Sequence, residues 1–459
     1  MNKLKQRWSC DGGYYAILKI AIPLILATGA YSVQHFIDRM FLAWYSPEAI
    51  AASMPAGILN FTLLSLFLGT ASYVSTFVAQ YYGARQYDYI GRIVWQGIYF
   101  SLIATVFILL FIPLSDSIFI LAGHAPEVRE LESRYFIILC LGGFFPVVSS
   151  AISGLFSGLG RTWTVMWVNF VGTGVNIILD YAMIFGNFGF PEWGIRGAAV
   201  ATVISAFIST VLFVFLMLRP GYRREYGTWS GRAFNRGLFQ RLLSFGFPAG
   251  LQFFLDMLGF TLFILLVGRI GKIELAATNI AFNINMLAFM PMTGLGIAIS
   301  VLVAQNLGNE DPEMAEFSTW SGTHISFFYM LVVATLFVVF PGIFLNPFGY
   351  EADSVSFKPI YDYGVVLLRF IALYCLFDTM NITFASALKG AGDTRFVMMA
   401  IVLVSWLVMV IPSYLAIVVF EQHLFVAWVF ATSYVVLLSI VFLVRFLRGK
   451  WKTMSVIRD

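Results

Sequence analysis

The chain of 459 residues is 60% hydrophobic and only 11% charged, and 17% of its residues are aromatic. Ordinary soluble domains are roughly 45–50% apolar, so this composition excludes a water-soluble globular protein of this length. The formal net charge of +4 is small for so long a chain. The composition predicts an integral membrane protein.

About twelve continuous apolar runs have the length that a membrane-spanning helix needs, which is about 20 residues. In chain order they are 16–44, 50–80, 93–121, 135–159, 163–186, 197–218, 243–269, 275–305, 318–345, 361–389, 396–420 and 423–447. Because hydrophobicity is continuous rather than alternating along these runs, they indicate helices and not the strands of a barrel. The predicted fold class is all-α integral membrane, with twelve transmembrane helices.

The basic residues are distributed unevenly over the connections between these runs. If the N-terminus lies inside, the cytoplasmic side receives most of them, including Arg85, Arg92, Arg161, the segment 219–241 and the tail from Arg445. The positive-inside rule then places both termini in the cytoplasm of a bacterial-type inner (plasma) membrane. Since this rule accounts for the basic segments, nucleic acid is not expected as a partner.

The second half of the sequence repeats the first. At an offset of 225, Pro23 aligns with Pro248, Gly69 with Gly294 and Gln80 with Gln305. Both halves begin on the same side of the membrane, and transporter halves of this kind enclose a substrate site near the midplane. The predicted organisation is a six-helix N-terminal lobe at 1–218, a cytoplasmic interlobe loop at 219–241, a pseudo-symmetric six-helix C-terminal lobe at 242–447 and a cytoplasmic tail at 448–459.

Four aspartates, Asp38, Asp180, Asp256 and Asp378, each lie alone within an apolar run. An acid at the centre of a membrane helix costs about 2.5–3.5 kcal/mol to insert, so such residues usually face a cavity and serve a function. None of the four aligns with an acid in the other half of the repeat, so the fold itself does not require them. Together they predict a pathway for cations or protons.

The first two acids belong to a predicted cluster in the N-terminal half. Asn176 and Asp180 are four residues apart and project from one helix face. Asp38, Asp180 and Thr202 lie at similar depths near the outer ends of their helices. Their oxygens would suit sodium as the bound metal ion, or a proton, since two carboxylates that share a site do not both ionise easily. The alternative role is hydrogen bonding between helices or, for Asp38, pairing with Arg39.

Further residues are candidates for the cavity lining. Tyr31, Gln34 and His35 precede Asp38 by seven, four and three positions and so lie on its face. Gln252 precedes Asp256 by four positions. An aromatic face attracts organic cations and a histidine can pass protons, although ordinary packing is the alternative for each of these side chains.

The six-plus-six helices and two motifs, Val78–Gly83 (VAQYYG) and Asn176–Asp180 (NIILD), resemble the multidrug and toxic compound extrusion (MATE) family. The resemblance covers essentially the whole chain. It implies an antiporter that exports small lipophilic organic cations in exchange for sodium ions or protons, without ATP or another cofactor. Such a protein contacts membrane lipids, and we expect a monomer.

The same resemblance assigns site residues from two branches of the family. Asp38, with Asn176 and Asp180, matches its first-helix and fifth-helix coupling residues, and the helix-six threonine of the DinF-like branch matches Thr202. The NorM-like branch carries acids in helices seven and ten, which match Asp256 and Asp378 and would act on substrate or coupling ion. Because both sets are present, the branch and the coupling ion stay open.

Other functional classes fit the sequence less well. Gly390–Asp393 and Tyr361–Asp362 spell the two motifs of an intramembrane aspartyl protease, but the two acids fall at opposite ends of one helix, about 45 Å apart. A flippase for lipid-linked oligosaccharides or polysaccharides has a similar helix layout, but it favours a positively charged cavity. The three scattered cysteines indicate neither a disulfide framework nor a metal site. No enzyme activity is expected.

Overall fold

The computed structural model describes residues 7–121, 126–349 and 354–458, and every regular element within these ranges is a helix. Among these residues, eleven helices are long and apolar enough to cross a membrane. A bent pair of helices makes a twelfth if it is counted as one span. The predicted all-α membrane fold is confirmed.

The spans are numbered in chain order. They are α1 (Tyr14–Tyr45), α2 (Pro47–Gly83), α3 (Asp88–Ile120), α4 (the bent pair Val128–Leu141 and Phe144–Gly158), α5 (Thr162–Phe185), α6 (Ile195–Met217), α7 (Arg236–Val267), α8 (Lys272–Gly308), α9 (Pro312–Val339), α10 (Phe357–Ala391), α11 (Thr394–Val419) and α12 (Leu424–Leu447).

Several helix ends differ from the hydropathy prediction, and two of the differences have a clear physical reason. Helix α7 begins at Arg236 rather than at 243, because Asn235 Oδ1 accepts the Leu238 N–H at 3.0 Å and caps a polar first turn. Helix α9 ends at Val339 rather than at 345, because Pro341 cannot continue the helical hydrogen bonding and instead begins a separate short helix.

Four spans are irregular, and one of them, α3, passes through a 3₁₀ turn at Ile112–Leu114. Helix α2 is interrupted at Tyr73, and the two parts of α4 meet at 41°. Helix α11 contains two π-helical segments, Ser405–Val410 and Leu415–Val419, on either side of a turn that carries Pro412. Proline and π turns are the usual causes of local distortion in a helix.

The described residues pack as two compact units. One unit, called the 26–254 unit, comprises Leu26–Phe254 with Val456–Asp459. The other, called the 255–455 unit, comprises Leu255–Ser455 with Met1–Ile25. The unit boundaries fall inside α1 and α7, whereas the lobes predicted from the repeat have their boundaries in the connections. The division into lobes stays a prediction.

The segment predicted as an interlobe loop is structured and bound to α3. It contains a short helix, Pro220–Glu225, and a turn of 3₁₀ helix. Trp95 Nε1 donates to Thr228 O at 2.7 Å, and the Gly91 N–H donates to Tyr226 O at 2.9 Å. These bonds satisfy backbone groups that a loose loop would leave to water.

The tail is also part of the packed fold. Trp451 is fully buried and stacks on Phe446, with ring centroids 4.8 Å apart. In the 26–254 unit, the Val456 N–H donates to Oε1 of fully buried Gln80 at 2.9 Å. The glutamine of the VAQYYG motif therefore holds the end of the chain.

Close contact between α2 and α7 within the 26–254 unit depends on glycine. A Cβ on Gly69 would lie 2.7 Å from Gly250 Cα, and a Cβ on Gly250 would clash with the backbone oxygen of Leu66.

We expect Gly250→Ala to destabilise the protein by about 1–3 kcal/mol, because rigid backbone must move. Thermal unfolding in detergent measures this. Gly57→Ala is the matched control on α2, since its Cβ would meet nothing within 4 Å; equal midpoints would contradict the prediction.

Candidate functional site

Helices α1 and α5 bring two buried aspartates together in the 26–254 unit. Asp38 on α1 is 7% exposed, and Asp180 on α5 is completely buried. Asn176 lies one turn before Asp180 and is also completely buried. Because residues four apart share a helix face, Asn176 and Asp180 both reach the aspartate on α1. Three of the residues predicted as the coupling site thus form one polar group, called here the Asp38–Asp180 cluster, to which Gln34 of α1 also belongs.

A single amide bridges the two carboxylates. The pattern of neighbouring donors and acceptors assigns the nitrogen of the Asn176 amide to the carboxylate side. In that orientation Nδ2 donates to Asp38 Oδ1 at 2.9 Å and to Asp180 Oδ2 at 3.2 Å. The carboxyl groups also face each other closely enough for a hydrogen bond between them. Both acids are therefore within reach of one small cation or one shared proton.

One carboxylate oxygen of the cluster is buried without a partner. Asp180 Oδ1 accepts no hydrogen bond from the described residues. An unsatisfied buried polar group costs roughly 1–3 kcal/mol, and more when it is charged. Since no set of three or more His, Cys, Asp or Glu side chains in the described ranges could hold a metal, a cation here would be coordinated by the two carboxylates with amide or backbone oxygens.

Two polar residues extend the cluster along α1 and α5. Gln34 is 6% exposed, and its Nε2 lies 3.2 Å from the bridging atom of Asn176. The Thr173 hydroxyl donates to Gln34 Oε1 at 3.4 Å. Gln34 was expected in the cavity lining, and Thr173 was not expected at the site. Its position three residues before Asn176 on the same helix face was the available signal.

Tyr135 on α4 is a further residue that the sequence reasoning missed. It is 9% exposed and interacts electrostatically with both Asp38 and Asp180. Tyr31, which was predicted, interacts with Asp38 and with Tyr135. Tyr135 lies near the start of its span, at the depth expected for the acids, and this depth could have identified it.

The remaining residues predicted near Asp38 make contacts other than those expected from the sequence. The Thr202 hydroxyl donates at 3.0 Å to Ala198 O on its own helix rather than to either carboxylate. His35 is exposed, and its ring packs edge-on against Tyr31 with centroids 4.5 Å apart. Arg39, considered as a partner for Asp38, is exposed while Asp38 is buried. The structure therefore does not join Thr202 to the cluster by a hydrogen bond.

The 255–455 unit contains the other two predicted acids. The Tyr434 hydroxyl of α12 donates to Asp256 Oδ1 on α7 at 3.3 Å. Asp378 on α10 is 8% exposed and accepts a hydrogen bond from Asn381 Nδ2 at 2.8 Å. Because Asp256 and Asp378 interact electrostatically, they form a second acidic pair, which includes a tyrosine that the sequence did not indicate.

Two more polar residues lie on these helices. Lys389, near the end of α10, interacts electrostatically with Asp256, so this acid has a cationic neighbour inside its own unit. Gln252 on α7 is 9% exposed and belongs to the 26–254 unit.

The motif that suggested a protease has a structural role. Asp393 lies in the turn between α10 and α11, where its Oδ2 accepts a bond from Arg445 Nε at 2.7 Å. The guanidinium of Arg445 also covers the ring of Phe396 at 4.4 Å. Asp393 is thus the partner of a structural arginine.

Comparison with known proteins places these features in context. The model of the MatE family matches residues 23–182 and 248–415. The chain is 26% identical over 446 residues to a probable multidrug resistance protein NorM of Thermotoga maritima, covering 96% of this chain and 94% of the relative. It is 28% identical over 396 residues to the protein of the same name from Pseudomonas putida, covering 86% and 85%.

Solved structures share the fold. An outward-facing multidrug resistance MATE family transporter superposes with a TM-score of 0.87 at 21% identity, over 98% of both chains. A MOP superfamily transporter from Pyrococcus furiosus, described as having a binding pocket of reverse polarity, gives the same TM-score, identity and coverage.

Proposed function

Because this chain belongs to the MatE family, whose members compared above are transporters rather than enzymes, we propose that it is a secondary active antiporter. It exports small organic cations in exchange for sodium ions or protons by alternating access, and it needs no cofactor other than the coupling ion. The chain is a multi-pass membrane protein. The relatives named as multidrug resistance proteins support a drug-like cargo.

The observation that carries the proposal is the Asp38–Asp180 cluster. Two carboxylates on different helices share one amide, and an oxygen of the fully buried Asp180 has no hydrogen-bond partner among the described residues. Isolated acids in membrane helices are costly and are usually functional. A sodium ion or a proton at this position would neutralise the pair, and its departure would restore the repulsion between the carboxylates. We assign coupling-ion binding to Asp38, Asn176 and Asp180, with Thr202 as a further candidate.

The second acidic pair supports a cationic cargo. Asp256 and Asp378 would attract a lipophilic cation, and Tyr434 would hold the Asp256 carboxylate in place through its hydrogen bond. Tyr31, which is half exposed, offers an aromatic face of the kind that binds organic cations. His35 and Gln252 are weaker candidates for the lining.

The proposed setting is a bacterial-type inner membrane, with a monomeric protein and both termini in the cytoplasm. The basic interlobe segment supports this orientation through the positive-inside rule. Its arginines are held by aromatic rings: Arg232 lies over Trp229 at 4.9 Å and Arg219 over Phe215 at 5.7 Å. Such pairs suit a membrane–water boundary, where aromatic residues concentrate.

The proposal is tested with purified protein in liposomes loaded with a fluorescent lipophilic cation. A sodium gradient and a proton gradient are imposed separately at equal ionic strength. We expect one of them to drive cation transport, and collapsing that gradient with an ionophore should stop it. Transport under neither gradient, together with movement of a labelled lipid-linked sugar, would replace the proposal by a flippase function.

A further inference from the structure

The Asn176 amide receives opposite demands from its neighbours. The atom that bridges the carboxylates must be nitrogen to donate to Asp38 and Asp180. The same atom lies 3.2 Å from Gln34 Nε2, which is a donor and would favour an oxygen there. In this orientation of Gln34, its Oε1 accepts the Thr173 hydroxyl at 3.4 Å.

We propose that Gln34 is a positioning residue that controls which end of the Asn176 amide faces the carboxylates, and that the two amides turn over together when a sodium ion enters. This inference rests on the proposed function and specifies sodium as the ion of the Asp38–Asp180 cluster. Thr173 acts only through Gln34, so the three residues form a relay from α5 to α1 and back to α5.

The first state of the relay has no sodium ion. Two charged carboxylates require N–H donors, so Asn176 presents Nδ2 to them. Gln34 then turns its Oε1 towards Nδ2 and its Nε2 towards Thr173. The Thr173 hydroxyl tolerates this change because a hydroxyl both donates and accepts.

The second state contains sodium. An alkali cation prefers oxygen ligands, so Asn176 must present Oδ1 beside the carboxylates. An oxygen at that position accepts a bond from Gln34 Nε2, and Thr173 donates to Gln34 Oε1 in the observed arrangement. Each change is a half-turn about the terminal torsion of an amide side chain, which has a broad, roughly two-fold profile. No backbone movement is needed.

The orientation of the two amides matters because both side chains are buried. Asn176 is completely buried and Gln34 is 6% exposed, so a mismatched amide end is not readily satisfied by bulk water. A buried donor or acceptor without a partner costs more than a typical hydrogen bond contributes. Gln34 therefore favours the sodium-bound orientation of Asn176 without being a ligand itself.

The test measures sodium binding by calorimetry with the full-length protein in detergent, at one fixed pH, with choline chloride holding the ionic strength constant. Gln34→Met keeps the side-chain length but removes the amide, and we expect about tenfold weaker binding, the equivalent of one hydrogen bond. Thr173→Val should weaken binding about threefold, and Thr173→Ser should retain wild-type affinity. The double variant should bind no more weakly than Gln34→Met, because Thr173 acts through Gln34.

The outcomes separate the relay from the proposed function. Wild-type affinity in Thr173→Val, or losses that multiply in the double variant, would overturn the relay. If wild type binds sodium, Asp180→Asn does not, and Gln34→Met binds normally, only the relay fails. If neither wild type nor Asp180→Asn binds sodium, both the sodium site and the relay are wrong. Thermal midpoints in choline identify any variant that is misfolded.

Discussion

Asp180→Asn is expected to lower ion-driven export at least about 100-fold while leaving the protein folded and inserted. The change preserves the shape of the side chain but removes a charge from a fully buried position, whose Oδ1 accepts no hydrogen bond within the part of the chain that the structure describes. A bound cation would then lose a contact with a buried charge, worth about 3 kcal/mol, which corresponds to a factor of roughly 100. Asp38→Asn should have a similar effect, because Asn176 bridges both acids.

The measurement is export of a fluorescent lipophilic cation from liposomes under the gradient that drives wild type. Asp116→Asn is the matched control, since Asp116 is an exposed acid near the end of α3 and should transport at the wild-type rate. Near-normal export by Asp180→Asn, with normal incorporation into liposomes, would remove the Asp38–Asp180 cluster from the mechanism.

Asp393→Ala is expected to destabilise the protein by about 2–3 kcal/mol without a direct effect on the acidic sites. Removing one partner of a buried ion pair usually costs about 3–5 kcal/mol, and the value is reduced here because the Arg445 side chain retains 18% exposure. The arginine would keep its contact with Phe396 but lose its charged partner. Thermal unfolding in detergent should show a midpoint lower by roughly 2–3 °C.

The repeat supplies a control for this prediction. The residue equivalent to Asp393 in the first half is Arg161, whose guanidinium bonds the Tyr222 hydroxyl at 3.1 Å at an exposed position. Arg161→Ala should cost less than about 1 kcal/mol. A double change, Asp393→Leu with Arg445→Leu, should recover much of the stability because no unpaired charge remains. If Asp393→Ala and Arg161→Ala melt alike, the ion pair is not a structural support.

Hydropathy alone predicted the helices well because a membrane requires long apolar segments whose backbone bonds are internal. It failed at polar helix ends, since the start of α7 contains Arg236 and Gln240 and is specified by the Asn235 cap. It also missed the packing of the tail, because contacts such as the hydrogen bond from the Val456 N–H to Gln80 join residues far apart in the sequence.

Part of the candidate site was also predictable from the sequence, because the membrane restricts which residues can be buried in it. Buried acids such as Asp38 and Asp180 are recognisable in sequence because their insertion is costly, and helical spacing joins Asn176 to them. For Tyr135 and Thr173 the sequence offers only their depth and their helical spacing, which many tyrosines and threonines in membrane helices share without a role in a site. Their proximity to the acids depends on how α1, α4 and α5 pack, which a single sequence does not reveal.

The two π segments of α11 lie in the helix that the repeat aligns with α5. Helix α5 has 24 residues and its counterpart α11 has 26, and a π turn accommodates one more residue than an α turn. Where α5 carries Asp180, the aligned position of α11 is Pro412, between those segments. The helix that the repeat aligns with α5 thus has a proline between two widened turns and no carboxylate at the position of Asp180, so the repeat does not duplicate the proposed ion site.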